Sequence, residues 1–358
     1  MIKAPRRLIF ILSVSWWLIL IIPKVEALKI ESWGVYPYVN VEQKYDDNIY
    51  LDPNNKKDDF ITTLGLGVTL EKARRRYGLK LDYRADFIKY YNYTREDTEH
   101  HTLSCLVDLK LIPFRLRFED SFERTSDPAD SEKTAREDRI RNISSLKIIR
   151  QQDRLEFEMG YSNITDDYDN DSELDKLEDI LTLTSYYKFF PKVSFLLEYN
   201  YGQICYDETT HSDSNYNQIR VGFKSVDTAK LSGLVKVGYQ KRDYKEQGKG
   251  DFEGLSVFAN LTEKLSSRTK VELSSDWAVN ESSYSTNNYY VLSGLGLKLT
   301  HKLGPKWTFS SEGSYYLNKY PQETTEGAQR AKREDDIWTG GFGLNYQLQK
   351  GVSLGIGY

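Results

Sequence analysis

Apolar and polar residues alternate along most of this chain. Leu79-Lys80-Leu81-Asp82-Tyr83-Arg84-Ala85-Asp86-Phe87 runs without a break, as do Arg154-Leu155-Glu156-Phe157-Glu158-Met159-Gly160-Tyr161 and Lys270-Val271-Glu272-Leu273. Successive side chains on a strand point to opposite faces, so each run has one apolar and one charged face. Strands of soluble sandwiches usually have five or six residues. These runs reach about ten, the length that crosses a bilayer at a tilt. The pattern predicts an all-β chain forming a transmembrane antiparallel up-and-down β-barrel.

About seventeen strands can be placed, near 33–45, 59–71, 76–91, 100–111, 114–125, 139–149, 154–163, 178–189, 193–205, 215–225, 231–243, 252–262, 268–280, 289–300, 306–318, 335–348 and 352–358. One set of connections is short, such as Ile112-Pro113 and Phe190 to Lys192. The other is long and polar: Asp46 to Asp58, Ser126 to Asp138, Asn163 to Leu177, Asp207 to Ser214, Asp243 to Asp251 and Pro321 to Asp335. Short turns at one rim and long loops at the other match the layout of outer-membrane barrels. Bacterial barrels have even strand numbers, and seventeen is odd. The expectation is a barrel of 16–18 strands in which the sequence stops short of its closing strand.

The face carrying Leu79, Leu81, Tyr83 and Phe87, then Leu103, Cys105, Val107 and Leu109, then Leu155, Phe157 and Met159, then Val193, Phe195, Leu197 and Tyr199 is assigned to lipid. The opposite face is assigned to the lumen. It carries Lys80, Asp82, Arg84, Asp86, Arg115, Arg117, Glu119, Arg154, Glu156, Glu158, Lys270, Glu272 and Asp276. An Arg or Lys facing lipid at the midplane costs ~2–4 kcal/mol, so such a row belongs in a wet or ion-paired interior. Gly160, Gly238, Gly294 and Gly296 fall on the same face and are expected to leave lumen space.

Residues 1–27 read as a secretory signal peptide. Lys3, Arg6 and Arg7 precede an apolar stretch from Leu8 to Ile22, and Val25-Glu26-Ala27 offers a cleavage site. The barrel then occupies residues 28–358. Mean hydropathy is −0.61, a value that would suit a soluble protein; in a barrel every second residue faces water, so hydropathy hides the membrane segments. The 27 tyrosines suit the aromatic girdles of such a wall. A net charge of −4 argues against a nucleic-acid partner. The two cysteines, Cys105 and Cys205, permit one disulfide, but Cys105 fits better as a small lipid-facing side chain.

Several segments carry a resemblance. They are Tyr45-Asp46-Asp47-Asn48-Ile49-Tyr50 with Asp58-Asp59-Phe60-Ile61, Phe118-Glu119-Asp120-Ser121-Phe122-Glu123-Arg124, Val237-Gly238-Tyr239-Gln240-Lys241-Arg242-Asp243-Tyr244 and Phe252-Glu253-Gly254-Leu255. Together they resemble the family named "putative β-barrel porin type 2". The resemblance implies an outer-membrane barrel associated with exopolysaccharide synthesis and export, and it brings no catalytic residues with it.

Two motifs bear on other chemistry. Asp167, Asp169, Asp171 and Glu178 have the spacing of a twelve-residue calcium loop, although Ser172 stands where the turn wants glycine. The alternative is a solvated acidic loop. The four histidines, His100, His101, His211 and His301, lie near strand ends or turns, and no G-x-S-x-G or H-E-x-x-H motif accompanies them. The resulting reading is a porin-like outer-membrane channel, not an enzyme, without cofactor. Its expected partners are outer-membrane lipid and lipopolysaccharide, polysaccharide or small solutes, and proteins of an export machine. The alternatives are a non-conducting structural barrel of a polysaccharide secretion machine, which requires inward-folded loops, and a rim enzyme, which requires Ser, His and acid brought together.

Overall fold

The computed structural model describes Ser13–Trp16, Leu28–Ile30 and residues 33–358, apart from 53–54, 129–131, 133–135, 227–229, 246–249, 285 and 327–328. Its strands in chain order are β1 (Ser13–Trp16), β2 (Leu28–Ile30), β3 (Trp33–Asp46), β4 (Asp59–Ala73), β5 (Tyr77–Tyr90), β6 (Thr98–Leu111), β7 (Phe114–Thr125), β8 (Arg139–Gln152), β9 (Leu155–Tyr168) and β10 (Lys176–Phe190). There follow β11 (Val193–Tyr206), β12 (Ser214–Ser225), β13 (Leu231–Tyr244), β14 (Phe252–Lys264), β15 (Thr269–Glu281), β16 (Tyr289–Lys302), β17 (Trp307–Glu326), β18 (Gln329–Gln349) and β19 (Val352–Gly357).

From β3 to β19 every strand pairs antiparallel with the next. These seventeen strands form the up-and-down barrel wall anticipated from the alternation. The strands are strongly staggered. A line of paired residues starting at Gly34, Glu71, Lys80, Leu106 and Glu119 near the short-turn rim climbs through Ser145, Ser162, Ile180, Gly202, Tyr216 and Arg242 to Phe252 at the opposite rim. Such shear goes with the strand tilt a barrel needs.

The odd count leaves a physical seam. β3 and β19 both run from the short-turn rim outward, so they cannot pair antiparallel. β1 lies between them, antiparallel to both, meeting β3 at Ser13–Trp16 but β19 only through Ser15 and Trp16. This four-residue strand comes from the segment read in the sequence as the signal peptide, so a chain without that segment has β3 and β19 as the two edges of the seam.

Strand ends differ from the sequence expectation at two hairpins. β9 runs on to Tyr168 and β10 begins at Lys176, shortening that loop to 169–175. Residues 321–335, expected as a loop, are mostly paired strand in β17 and β18, with Thr324 opposite Ala331.

Large exposed apolar side chains mark the outer face: Leu64, Leu66, Phe118, Leu155, Phe157, Met159, Leu183, Leu197, Phe223, Leu255, Leu295 and Leu297. That face is not uniformly apolar. Asp120, Ser144, Asn163 and Asp179 are successive cross-strand partners on it. Ser144 Oγ donates to Asp120 at 2.5 Å, and Asn163 Nδ2 and Tyr161 OH donate to Asp179 at 2.8 and 2.6 Å.

The inward glycines do not all leave space. Tyr38 is the cross-strand partner of Gly67, Tyr216 of Gly202 and Tyr316 of Gly294. In each pair the ring lies where a Cβ on the glycine would sit. Glycine here lets a tyrosine lie along the inner wall, the cross-strand rescue seen in curved sheets. At Gly238 a Cβ would meet the Ile219 carbonyl and the Arg220 backbone, so this glycine permits close strand approach. The expectation of lumen space is therefore corrected at Gly294, at Gly238 and at Gly296, where a Cβ would meet Ser274 Oγ.

Candidate functional site

Four outer hairpins end in the same way. The backbone N–H groups of Tyr90, Tyr168, Tyr206 and Tyr244 donate to the carboxylates of Asp97, Asp175, Asp213 and Asp251, at 2.8, 2.7, 2.9 and 2.9 Å. Each aspartate stands seven residues after its tyrosine, and each tyrosine ends a strand with its ring on the inner face. The spacing is visible in the sequence only once the four segments are aligned. The electrostatic settings of the clamps differ. The Tyr90 N–H and the Lys89 ammonium hold Asp97 below the usual carboxylate range. Burial pulls Asp213 upward, but Lys245 and the Tyr206 N–H outweigh it and the net direction is down. Burial and the neighbouring Asp167, Asp207 and Glu208 push Asp175 up.

The upper part of the β15–β16 hairpin leans into the lumen. Pairing between β14 and β15 stops at Val257 and Trp277, although both strands continue. Trp277 is exposed on the outer face, and Val279 and Glu281 share its parity. Yet Val279 is only 6 % exposed and packs with Tyr289 against Tyr244 and Phe252, which belong to the inner faces of β13 and β14. Arg242 Nη1 donates to Glu281, and Tyr244 OH donates to the same carboxylate at 3.1 Å. The hairpin top has thus folded over the inner wall. Alternation hides this as far as Val279, and the one signal in the sequence is Glu281, a charge at an outer-parity position.

The loop after β7 reaches it from the far side. Glu132 accepts from Ser282 Oγ at 2.7 Å and from the Ser283 N–H at 2.6 Å. The two elements stand eight strands apart round the wall, so this contact spans the outer mouth. Beside it, Arg333 lies over the rings of Tyr284 and Tyr320. Arg136 and Arg139 cover Tyr90 and Tyr168 in the same manner.

Between the leaning hairpin and the wall is a cavity of about 370 Å³, lined by Arg141, Asp166, Lys176, Glu178, Ile204, Tyr216, Gln218, Gln240, Arg242, Val279, Asn280, Glu281 and Tyr290. Arg141 Nη1 donates to both Asp166 oxygens at 2.9 and 2.8 Å. Tyr216 OH donates to Glu178 at 2.8 Å, and Gln218 Nε2 to Gln240 at 3.0 Å.

Below the mouth the charges assigned to the lumen form short ladders. Arg115 and Arg117 meet Asp108, and Arg117 and Lys147 approach Glu119 at 3.8 Å. Asp82 accepts from Tyr38 OH at 3.0 Å and from Thr69. Arg84 pairs with Asp86 at 2.7 Å, and Lys270 with Glu272 at 3.0 Å. Lys80 lies 3.6 Å from Glu71. Glu156, Glu158 and Asp276 occupy inner-parity positions on β9 and β15, while Arg154 lies in the turn before β9. A buried trio missed in the sequence, Glu198 with Arg220 and Lys236, lies further round.

The calcium reading is corrected. Asp167 is exposed, whereas Glu178 faces inward onto Tyr216. Among the described residues no group of three or more candidate ligands gathers. Strand alternation separates the two, because Asp167 and Glu178 point to opposite faces.

The histidines are dispersed, but one sits in an unforeseen setting. His100 Nε2 lies 3.1 Å from Ser126 Oγ, and His100 Nδ1 lies 3.9 Å from Asp127. No motif in the sequence announces this Ser, His and acid grouping. The geometry is not that of a charge-relay nucleophile. Nε2 already accepts the Ser126 backbone N–H at 3.0 Å, and 3.9 Å is too long for an orienting hydrogen bond. His101 meets Tyr83 OH at 3.0 Å on the outer face, His211 stacks on Tyr206, and His301 meets Thr269 at 2.9 Å. Cys105 and Cys205 are free thiols.

Comparison with known families places the chain. A model described as "Putative beta-barrel porin 2" matches residues 28–358, nearly everything described. The chain belongs to that family. It is therefore a porin-like barrel of the outer membrane, as the alternation and loop asymmetry indicate. No curated protein sequence matches it. Among solved structures it is similar to the FrpB iron transporter from Neisseria meningitidis, with 8% identity and a TM-score of 0.46 over 92% of this chain and 62% of that one. It is also similar to the siderophore receptor PiuA from Acinetobacter baumannii, with 10% identity and a TM-score of 0.49 over 96% and 70%. The chain thus spans less than two thirds of FrpB's length, and no shared substrate follows from similarity at this level.

Proposed function

We propose that this porin-family barrel passes polar solutes across the outer membrane in the service of exopolysaccharide export, after removal of residues 1–27. The observation that carries the reading is the inner face. It bears paired charges from the lower rim upward and a narrowed polar mouth, which suits screening of hydrated solutes. A barrel of this strand number is wide enough for water. No step of the function requires an enzyme, a cofactor or nucleic acid. Lipopolysaccharide at the outer wall and proteins of the export machine are the partners that fit this role.

One observation favours a second reading. The Glu132 contact with Ser282 and Ser283 crosses the mouth, as a non-conducting structural barrel would require. Planar-bilayer recording on refolded protein separates the two. A channel whose latch opens conducts, and Glu132→Ala raises its open probability. Absence of conductance from both proteins at every voltage would remove the channel reading and leave the structural one.

A further inference from the structure

We infer that the cavity under the leaning β15–β16 hairpin is a binding site for a short uncharged saccharide, a mono- or disaccharide unit. This deepens the solute-passage reading and rests on it for its biological sense, but its chemistry stands on the cavity alone.

Three properties of the lining select the ligand. The first is an orphaned donor. Arg242 is 5 % exposed, its Nη1 is engaged by Glu281, its plane lies over the Tyr216 ring, and its Nε–H has no hydrogen-bond partner. A buried unsatisfied donor of this kind is costly unless a ligand oxygen meets it. The second is charge. Arg141, Lys176 and Arg242 are balanced by Asp166, Glu178 and Glu281 within the same lining. An anion attracted by the guanidinium meets three carboxylates, and a cation meets three positive groups. The third is the interleaving of donors with acceptors. Gln240 and Asn280 each carry an amide N–H and a carbonyl into the lining. Gln218 holds Gln240 in place, because its Nε2 is committed to Gln240 and Ser256 and its Oε1 accepts from Asn200. Tyr290 adds a ring whose hydroxyl accepts from Asn280 at 3.4 Å. A carboxylate ligand only accepts and an ammonium only donates. A hydroxyl does both, and a pyranose carries several at spacings that meet neighbouring amides and carboxylates. The volume, about 370 Å³, lies in the range of small-ligand sites.

The site is at the mouth and not deep in the lumen, so a chain of sugar units could touch it while threading past. Weak, rapidly exchanging binding is therefore the expected behaviour.

The test is calorimetric titration of the refolded full chain in detergent with cellobiose, and in parallel with glucuronate and glucosamine as charged counterparts. Saturable binding of cellobiose, stronger than of either charged sugar, is expected. Arg242→Lys keeps a cation beside Glu281 but removes the Nε–H donor, and Gln240→Leu removes one amide. Each should weaken cellobiose binding about tenfold. A heat-modifiable band on gel electrophoresis identifies variants that have folded, and the conclusion is read only from these. Tighter binding of glucuronate would make the cavity an anion site and overturn the inference. So would the absence of saturable cellobiose binding in folded wild-type protein, even if that protein conducts. Binding of cellobiose by a protein that does not conduct would uphold this site while removing the channel reading.

Discussion

Glu281→Ala tests whether the leaning hairpin is held by its buried ion pair. In the native state the Arg242 and Glu281 side chains are 6 % and 8 % exposed, and Arg242 has no other acidic partner within ion-pair distance among the described residues. Removing the carboxylate leaves a buried guanidinium uncompensated, which costs about 3–5 kcal/mol. The wall below does not depend on this contact, so the cost falls on docking of the hairpin. At about 1.4 kcal/mol per tenfold, the undocked population rises by at least about a hundredfold. Val279 reports this directly because it is buried only while the hairpin is docked. In a Cys105→Ser, Cys205→Ser background carrying Val279→Cys, maleimide labelling should accelerate about a hundredfold on adding Glu281→Ala, or reach the rate of denatured protein. The double replacement Arg242→Met with Glu281→Leu removes both charges and should return labelling to within about tenfold of the parent, since a well-packed apolar pair replaces a buried ion pair at little cost. Rates within about threefold of the parent in the Glu281→Ala protein would refute the argument.

Other outcomes follow from the same structure. Gly67→Ala forces the Tyr38 ring off the inner wall and should lower the unfolding free energy in urea by about 1–3 kcal/mol; Gly78→Ala, where a Cβ meets only Asp108 Cβ at 4.0 Å, should change it by less than about 0.5 kcal/mol. Asp120→Leu removes a carboxylate from the lipid-facing wall and should raise unfolding free energy by about 1 kcal/mol, with Asn142 still donating to Ser144 at 3.1 Å; a clear loss of stability would show that the polar row is needed. The clamps should differ in acid. Asp97 and Asp213 have lowered pKa values, so their stabilisation is complete above the ordinary carboxylate range and is lost as pH falls through their folded values. Asp175 is raised, so protonation relieves repulsion and acid does not loosen that hairpin first. Hydrogen exchange at the Tyr90, Tyr206 and Tyr168 amides on descending pH reads this order, and earlier loss of Tyr168 protection would contradict it.

The wall was legible in the sequence because a strand's period of two is imposed by backbone geometry and lipid enforces it on one side. Leu79 to Phe87 and Leu155 to Met159 show this without help from tertiary context. The odd strand count was legible too, and it appears physically as two outward-running neighbours separated by the short β1. What alternation hid were departures of the chain from its own face. Val279 and Glu281 keep the outer parity yet end up inside, because β15 separates from β14 above Trp277. Asp120, Ser144, Asn163 and Asp179 sit one per strand, so each looks like a single interruption until register aligns them. His100 and Ser126 come from opposite ends of a hairpin, and only the fold makes them neighbours. The inward glycines were read as empty space because a sequence does not show which ring lies across them.

The tyrosine-to-aspartate clamp has a consequence for how such a protein changes over time. Four hairpins carry an identical clasp at the same offset, and each clasp draws both its parts from one local stretch of chain. A hairpin closed this way brings its own fastening when it is copied, deleted or exchanged. The circumference of the wall can therefore grow or shrink by two strands at a time while the rim chemistry stays intact.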